Sequence, residues 1–201
     1  MRNIVILISG GGSNMAAMVQ TAVKEQWQKK YNARIAAVIS NKAEAKGLIF
    51  AREHGIATEV LNHKAFASRE EFDTALANTI DKYDSPSIPA LVVLAGFMRI
   101  LTPGFVQRYT DRLVNIHPSL LPAFAGLHTH QRAIDAGCKF AGATVHLVTA
   151  ELDHGPILEQ AIVPILLFDT ADTLAQRVLT QEHIIYPRAI ASLLCKMSKQ
   201  D

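Results

Sequence analysis

Short runs of aliphatic and β-branched residues alternate along the chain with segments whose apolar positions recur at helical spacing. The first run, Ile4 to Ile8, is apolar throughout, as expected of a strand covered on both faces of a parallel sheet. After Ser13 and Asn14, either of which suits a helix N-cap, Met15, Met18, Val19, Ala22, Val23 and Trp27 share one helical face. A strand is predicted at Ile35 to Ser40, then a helix from Ala45 to His54 closed by Gly55, then a strand at Thr58 to Leu61. Ser68-Arg69-Glu70-Glu71 has the capping-box pattern and opens a helix with Phe72, Leu76 and Ile80 on its apolar face. The loop Asp84 to Pro89 ends it. Ala90 to Leu94 is the most apolar strand and is placed centrally; Thr102 and Pro103 supply a cap and a first-turn proline for a short helix. Strands follow at Leu113 to Ile116, Ala143 to Val148 and Ile157 to Val163. A long helical region starts near Asp172, which Pro187 is expected to kink or divide.

This order predicts an α/β fold: a doubly wound, largely parallel, Rossmann-like sheet in a single domain spanning residues 1–201, with right-handed crossovers. In such sheets ligands bind beyond the carboxyl ends of the strands. The segments there are Ser9 to Asn14, Asn41 to Lys42, Gly96 to Arg99 and Asn115 to Pro118, and they hold much of the polar chemistry of the sequence.

Composition narrows the class. With 49% hydrophobic and 19% charged residues, the chain is an ordinary globular sequence able to build a core without staples, so Cys138 and Cys195 are read as free thiols of a reducing compartment. A net charge of +2 leaves no basic stripe for a nucleic-acid backbone. The apolar run after Arg2 stops at Ser9, short of a signal h-region, and Ala90 to Met98 is far short of the roughly 18 residues of a membrane span. A cytoplasmic protein is expected, with no membrane and no nucleic-acid partner; oligomeric state is not legible.

Two segments carry candidate chemistry. Ser9-Gly10-Gly11-Gly12-Ser13-Asn14 joins a strand to a helix, where free N–H groups and the helix dipole favour an anion. No lysine follows the glycines as in a Walker motif, and Met15 occupies the third glycine position of the dinucleotide fingerprint, so a phosphomonoester fits better than a pyrophosphate. The competing reading is a tight connection without ligand. In Asn115-Ile116-His117-Pro118, strand alternation points Asn115 and His117 one way and Ile116 into the core. A neutral donor beside a histidine suits an oxygen that becomes negative, and Asp153, from a separate turn, can orient His117 or take a proton. The bland alternative is a turn Asn, a core His and a capping Asp. His128 and His130 with His117 and Asp153 offer an N/O metal set, without a motif that ties them together, and helix-starting or loop-packing histidines are the favoured reading. His146, on an apolar strand, reads as a hydrogen-bonded core residue.

Together these segments are similar to the phosphoribosylglycinamide formyltransferases, folate-dependent enzymes of purine synthesis. The landmarks are Ile8-Ser9-Gly10 with Gly12-Ser13-Asn14, Val38 to Lys42, Leu94 to Leu101, Asn115 to Pro122, Gly126-Leu127-His128, Thr144-Val145-His146, Asp153 with Gly155-Pro156, and Gln181-Glu182-His183. They run in order over nearly the whole chain. The resemblance implies transfer of a formyl group from 10-formyltetrahydrofolate, as co-substrate, to the amine of glycinamide ribonucleotide, with no metal. It implies that Asn115, His117 and Asp153 are catalytic. Gly12, Ser13, Asn14, Arg69 and Glu182 would hold the ribonucleotide, and Met98, Arg99, Ile100, Leu101, Val148 and Asp153 the folate. It also points to a cis Leu121–Pro122 peptide.

The chain departs from the family pattern at Ala123-Phe124-Ala125, at Ala141 and Ala143, and at His154 beside Asp153. Formyl-folate hydrolases and methionyl-tRNA formyltransferases share the Asn, His and Asp logic but usually carry a further domain, for which the reading finds no room before Ile4 or after Cys195. A 10-formyltetrahydrofolate hydrolase, a metal-dependent hydrolase and a catalytically silent phosphometabolite-binding module stand as alternatives.

Overall fold

The computed structural model describes residues 1–85 and 87–198, so residue 86 of the expected 84–89 loop and the last three residues of the expected domain lie outside the described residues. The chain order is β1 (Arg2–Ile8), α1 (Ser13–Lys24), α2 (Trp27–Tyr31), β2 (Ala33–Ser40), α3 (Gly47–Glu53), β3 (Ala57–Val60) and a 3-10 turn at His63–Ala65. It continues α4 (Arg69–Asp81), β4 (Leu91–Leu94), α5 (Pro103–Arg108), β5 (Leu113–His117), α6 (Thr129–Asp135), β6 (Phe140–Leu147), β7 (Ile157–Pro164) and α7 (Ala171–Met197). The strands form one seven-stranded sheet in the order β3-β2-β1-β4-β5-β6-β7. β1 to β5 pair in parallel, and β6 and β7 add on antiparallel.

The continuous apolar runs are strands buried on both faces. Along β1, Ile4, Ile6 and Ile8 pack with α1, α3 and α7, while Val5 and Leu7 pack with α4 and α5 on the other face. The expected caps of α4 and α5 are present: Ser68 accepts from the Glu71 N–H, Thr102 accepts from the Phe105 N–H, and Pro103 opens α5.

Four expectations need correction. α1 is not capped by Ser13 or Asn14; Gly12 takes the N-cap position in a left-handed conformation (φ 70°), and no side chain caps the helix. A β-carbon on Gly12 would press on the Gly47 Cα at 3.2 Å and displace the Met15 Cε, and the positive φ disfavours any side chain there. Val23 is 72% exposed, and Trp27, fully buried, belongs to the separate helix α2, because Gln26 turns left-handed (φ 52°) between them. Finally, Pro187 does not divide the region: α7 runs from Ala171 to Met197 with Pro187 among its buried residues. Within it Leu174, Val178, Ile185, Tyr186, Ile190 and Leu194 hold the helix against the sheet, and the Tyr186 hydroxyl reaches the Leu94 and Val114 carbonyls at 2.9 and 3.1 Å.

Candidate active site

The chain leaves β1 toward β2 on one side and returns with β4 on the other, so the switch point of the sheet lies between the carboxyl ends of β1 and β4. The glycine turn sits there. The Ser9 N–H donates to the Gly96 carbonyl (3.1 Å), the Ser9 hydroxyl donates to Asn41 Oδ1 (2.6 Å), and that hydroxyl accepts the Met98 N–H (2.8 Å). Ser9 thereby ties together the ends of three strands, a role its place before a glycine run does not reveal. The turn and the segment after β4 enclose a cavity of about 220 Å³ lined by residues 9–14, Ala95, Gly96 and Met98. Because α1 has no side-chain cap, the N–H groups of its first turn are left for a ligand, and the positive end of the helix dipole faces the same space.

Asn14 is buried in the first turn of α1. Its Nδ2 donates to Glu182 Oε2 across 2.7 Å, which leaves Asn14 Oδ1 buried without a partner. Glu182 is 8% exposed on the buried face of α7, and desolvation raises its pKa above the usual glutamate value, against the smaller opposing effects of Asn14 and the nearby His117. An acid with a raised folded pKa stabilises the fold fully below its unfolded value, about 4.5, and loses that stability as pH rises through the folded value. Glu182→Gln, which can still accept from Asn14, is therefore expected to raise the melting temperature at neutral pH, with the gain vanishing below pH 4. Thermal unfolding of both proteins across that range checks it; a gain independent of pH would mean that Glu182 is not ionising against a burial cost.

At the end of β5, alternation places Asn115 and His117 together as expected, with Ile116 in the opposite core. β6 lies antiparallel beside it, pairing Asn115 with His146 and His117 with Thr144. His146 is 1% exposed, and its Nδ1 lies 2.9 Å from the Leu147 carbonyl. A carbonyl only accepts, so Nδ1 carries the proton and Nε2 is free to accept from Asn115 Nδ2 at 3.3 Å. Burial lowers the His146 pKa and keeps the ring neutral. His146 is thus the expected hydrogen-bonded core residue, but its partner is Asn115: it fixes the amide with its NH₂ edge toward the site and one N–H unused.

His117 is 7% exposed and has an acceptor at each ring nitrogen. Nε2 lies 3.1 Å from the Phe124 carbonyl, and Nδ1 lies 3.4 Å from Asp153 Oδ2. Asp153 Oδ2 also accepts the Gly126 N–H at 2.9 Å, while Oδ1 lies 3.8 Å from His146 Nε2. Asp153 is left-handed (φ 56°), and Gly155 follows where any β-carbon would collide with the Leu147 carbonyl oxygen. The segment after His117 is held by Thr144, whose hydroxyl donates to the Ser119 carbonyl (2.7 Å) and accepts the Leu121 N–H (3.0 Å); the Leu121–Pro122 peptide is cis.

The other expected residues are placed less uniformly. Met98 and Ile100 are exposed at 71% and 61%, Leu101 packs into the core beside Val148, and Arg99 has its Nε buried without a partner. Arg69 is exposed at the start of α4 and does not line the cavity at the glycine turn. The metal set does not come together: among the described residues no three His, Cys, Asp or Glu side chains group as ligands for one ion. His128 instead precedes α6 in a left-handed conformation. Among the described residues no helix is long and apolar enough to cross a membrane.

An uncapped helix terminus at the switch point of a Rossmann-like sheet, beside Asn115 and His117 on β5 and Asp153 from the turn between β6 and β7, is the arrangement of a group-transfer enzyme. A family model described as formyl transferase matches residues 2–190, and the chain belongs to that family and, within it, to the phosphoribosylglycinamide formyltransferases. The phosphoribosylglycinamide formyltransferase of Escherichia coli (strain K12) is 51% identical over 189 residues, covering 94% of this chain and 85% of that one. The crystal structure of the Brucella melitensis phosphoribosylglycinamide formyltransferase superposes with a TM-score of 0.86 at 51% identity, covering 96% and 95% of the two chains. The trifunctional purine biosynthetic protein adenosine-3 of Bos taurus is 42% identical over 187 residues, which are 93% of this chain and 18% of that protein.

Proposed function

We propose that the protein transfers the formyl group of 10-formyltetrahydrofolate to the amine of glycinamide ribonucleotide, a step of purine biosynthesis in the cytoplasm. The observation that carries this reading is the convergence of Asn115, His117 and Asp153 beside a phosphate-ready helix terminus. The relatives named above support the same chemistry and lend none to a hydrolase, a metal enzyme or a silent binding module.

In this reading the N–H groups and side chains of Gly12, Ser13 and Asn14 hold the ribonucleotide phosphate, and Glu182 accepts from a ribose hydroxyl while holding Asn14. Arg69, solvated at the start of α4, assists the phosphate. The exposed apolar side chains Met98 and Ile100, with Arg99, Leu101, Val148 and the Asp153 turn, form the folate wall; the unpartnered Arg99 Nε and the apolar surface fit a flat, polar-edged ring. The folate supplies an activated one-carbon unit. The neutral amine attacks the formyl carbon, the new C–N bond forms, the bond to the folate nitrogen breaks, and one proton passes from the amine to that nitrogen. Asn115 donates its free amide N–H to the oxygen that becomes negative, protonated His117 stabilises the same charge, and Asp153 holds His117 and assists the proton transfer.

The test is the absorbance change on mixing protein, glycinamide ribonucleotide and a 10-formyl folate. Ribonucleotide-dependent deformylation that His117→Ala abolishes is expected; deformylation that needs no ribonucleotide would replace this reading by the hydrolase. The glycine turn acts in binding rather than chemistry, so Asn14→Ala is expected to raise the ribonucleotide KM about tenfold or more with a smaller change in kcat. An unchanged KM in steady-state assays would remove the turn from the ribonucleotide site.

A further inference from the structure

A second cavity, of about 140 Å³, lies behind the segment that follows β5, away from the glycine turn. Its apolar walls are Leu120, Phe124, Ala133 and Phe140, and its polar side chains are Ser119, whose hydroxyl donates to the Ala123 carbonyl, Thr129, His130 and Cys138; none of its lining residues is a carboxylate, lysine or arginine. The volume suits a single aromatic ring, and the space opens to solvent beside Phe140, which is 56% exposed. His130 Nε2 is shielded from solvent and has no hydrogen-bond partner. Burial, and then repulsion from His117, lower the His130 pKa, so this nitrogen belongs to a neutral ring. An ion here would meet no counter-charge in the lining, whereas a neutral ring would cover the apolar walls. One hydroxyl on that ring would meet Nε2 in either tautomer, since a hydroxyl both donates and accepts.

The cavity also touches the catalytic group. Phe124 lines it with its side chain's residue and, through its carbonyl oxygen, lies 3.1 Å from His117 Nε2. Phe124 is itself left-handed (φ 57°), and the Arg132 guanidinium stands over its ring at 5.5 Å. Phe124 thus borders the cavity and the catalytic histidine at once.

We infer that this cavity is a binding site for a small neutral aromatic molecule bearing one hydroxyl, and that its occupancy is transmitted to His117 through Phe124. The binding half stands without the reaction proposed above, and the transmission half rests on it. Phenol is the probe and Cys138 the reporter. Cys138 is half-buried, and Cys195→Ser leaves it as the single thiol. Phenol is expected to slow alkylation of Cys138 by iodoacetamide saturably, about tenfold at ten times its dissociation constant. The protection is expected to vanish in Ala133→Leu, which fills the cavity, and in Ala123→Leu, at an exposed position of its lining that tolerates a larger side chain if the first variant fails to fold. No protection, protection that rises without saturating, or equal protection in a folded filled variant would overturn the site. Where phenol binds, kcat for formyl transfer is expected to change over the same concentration range in the wild type and not in Ala123→Leu. Saturable protection with kcat unchanged would overturn the transmission to His117.

Discussion

Asn115→Ala is expected to lower kcat by about 10²–10³-fold while leaving the ribonucleotide KM within a few-fold of wild type, because it removes a donor used only once charge develops on the formyl oxygen. The donor is pre-aimed. His146 Nε2 takes one amide hydrogen at 3.3 Å, and its own tautomer is fixed by the Leu147 carbonyl, so the second hydrogen needs no reorganisation when the oxyanion forms. The variant also strands the buried His146 Nε2, and leaving such a group unpaired costs about 1–3 kcal/mol. A melting temperature lowered by a few degrees should therefore accompany the kinetic loss. Single-turnover formyl transfer with thermal unfolding on the same preparation checks both. A kcat within about threefold of wild type would remove Asn115 from the oxyanion site, whatever the change in stability.

The parallel half of the sheet was legible because its strands are buried on both faces and carry uninterrupted aliphatic runs; Ile4 to Ile8 and Ala90 to Leu94 admit little else. Trp27 was misplaced for the converse reason. Its spacing from Val23 continues the helical period, and nothing in the side chain of Gln26 announces a left-handed turn. The first turn of α1 misled because Ser13 and Asn14 are good caps in isolation, whereas Asn14 is drawn to Glu182, 168 positions away along the chain. His128 at the start of α6 fits a helix-starting histidine, but the extent of that short helix has no signal in the sequence, because its N-cap is left-handed and makes no side-chain cap. In the site, Asn115 and His117 were found by period-two alternation, which is local. The direction of β6, its register opposite β5 and hence the contact of His146 with Asn115 are long-range properties, and an apolar strand flanking one histidine does not encode them.

Asp153→Asn is expected to cost about 10²–10⁴-fold in kcat with the melting temperature nearly unchanged. The substitution removes charge and little else. An asparagine oxygen can still accept the Gly126 N–H now held at 2.9 Å, its NH₂ can face His146 Nε2, which the carboxylate now approaches at 3.8 Å, and asparagine tolerates the left-handed backbone at φ 56° as aspartate does. What disappears is the negative charge 3.4 Å from His117 Nδ1. Asp153→Gly separates strain from function at the same position. Glycine relieves a left-handed conformation that costs a non-glycine residue about 1–2 kcal/mol, offset in part by its greater freedom when unfolded. Relief of the left-handed backbone and loss of the acceptor for the Gly126 N–H oppose each other, so the glycine variant should stay within a few degrees of the wild-type melting temperature while losing activity as severely as the asparagine variant. Melting temperatures and kcat for the three proteins decide the matter. An active Asp153→Asn would show that geometry alone, without charge, suffices at this turn, and a glycine variant that is both unstable and inactive would show that the carboxylate is there to hold the loop.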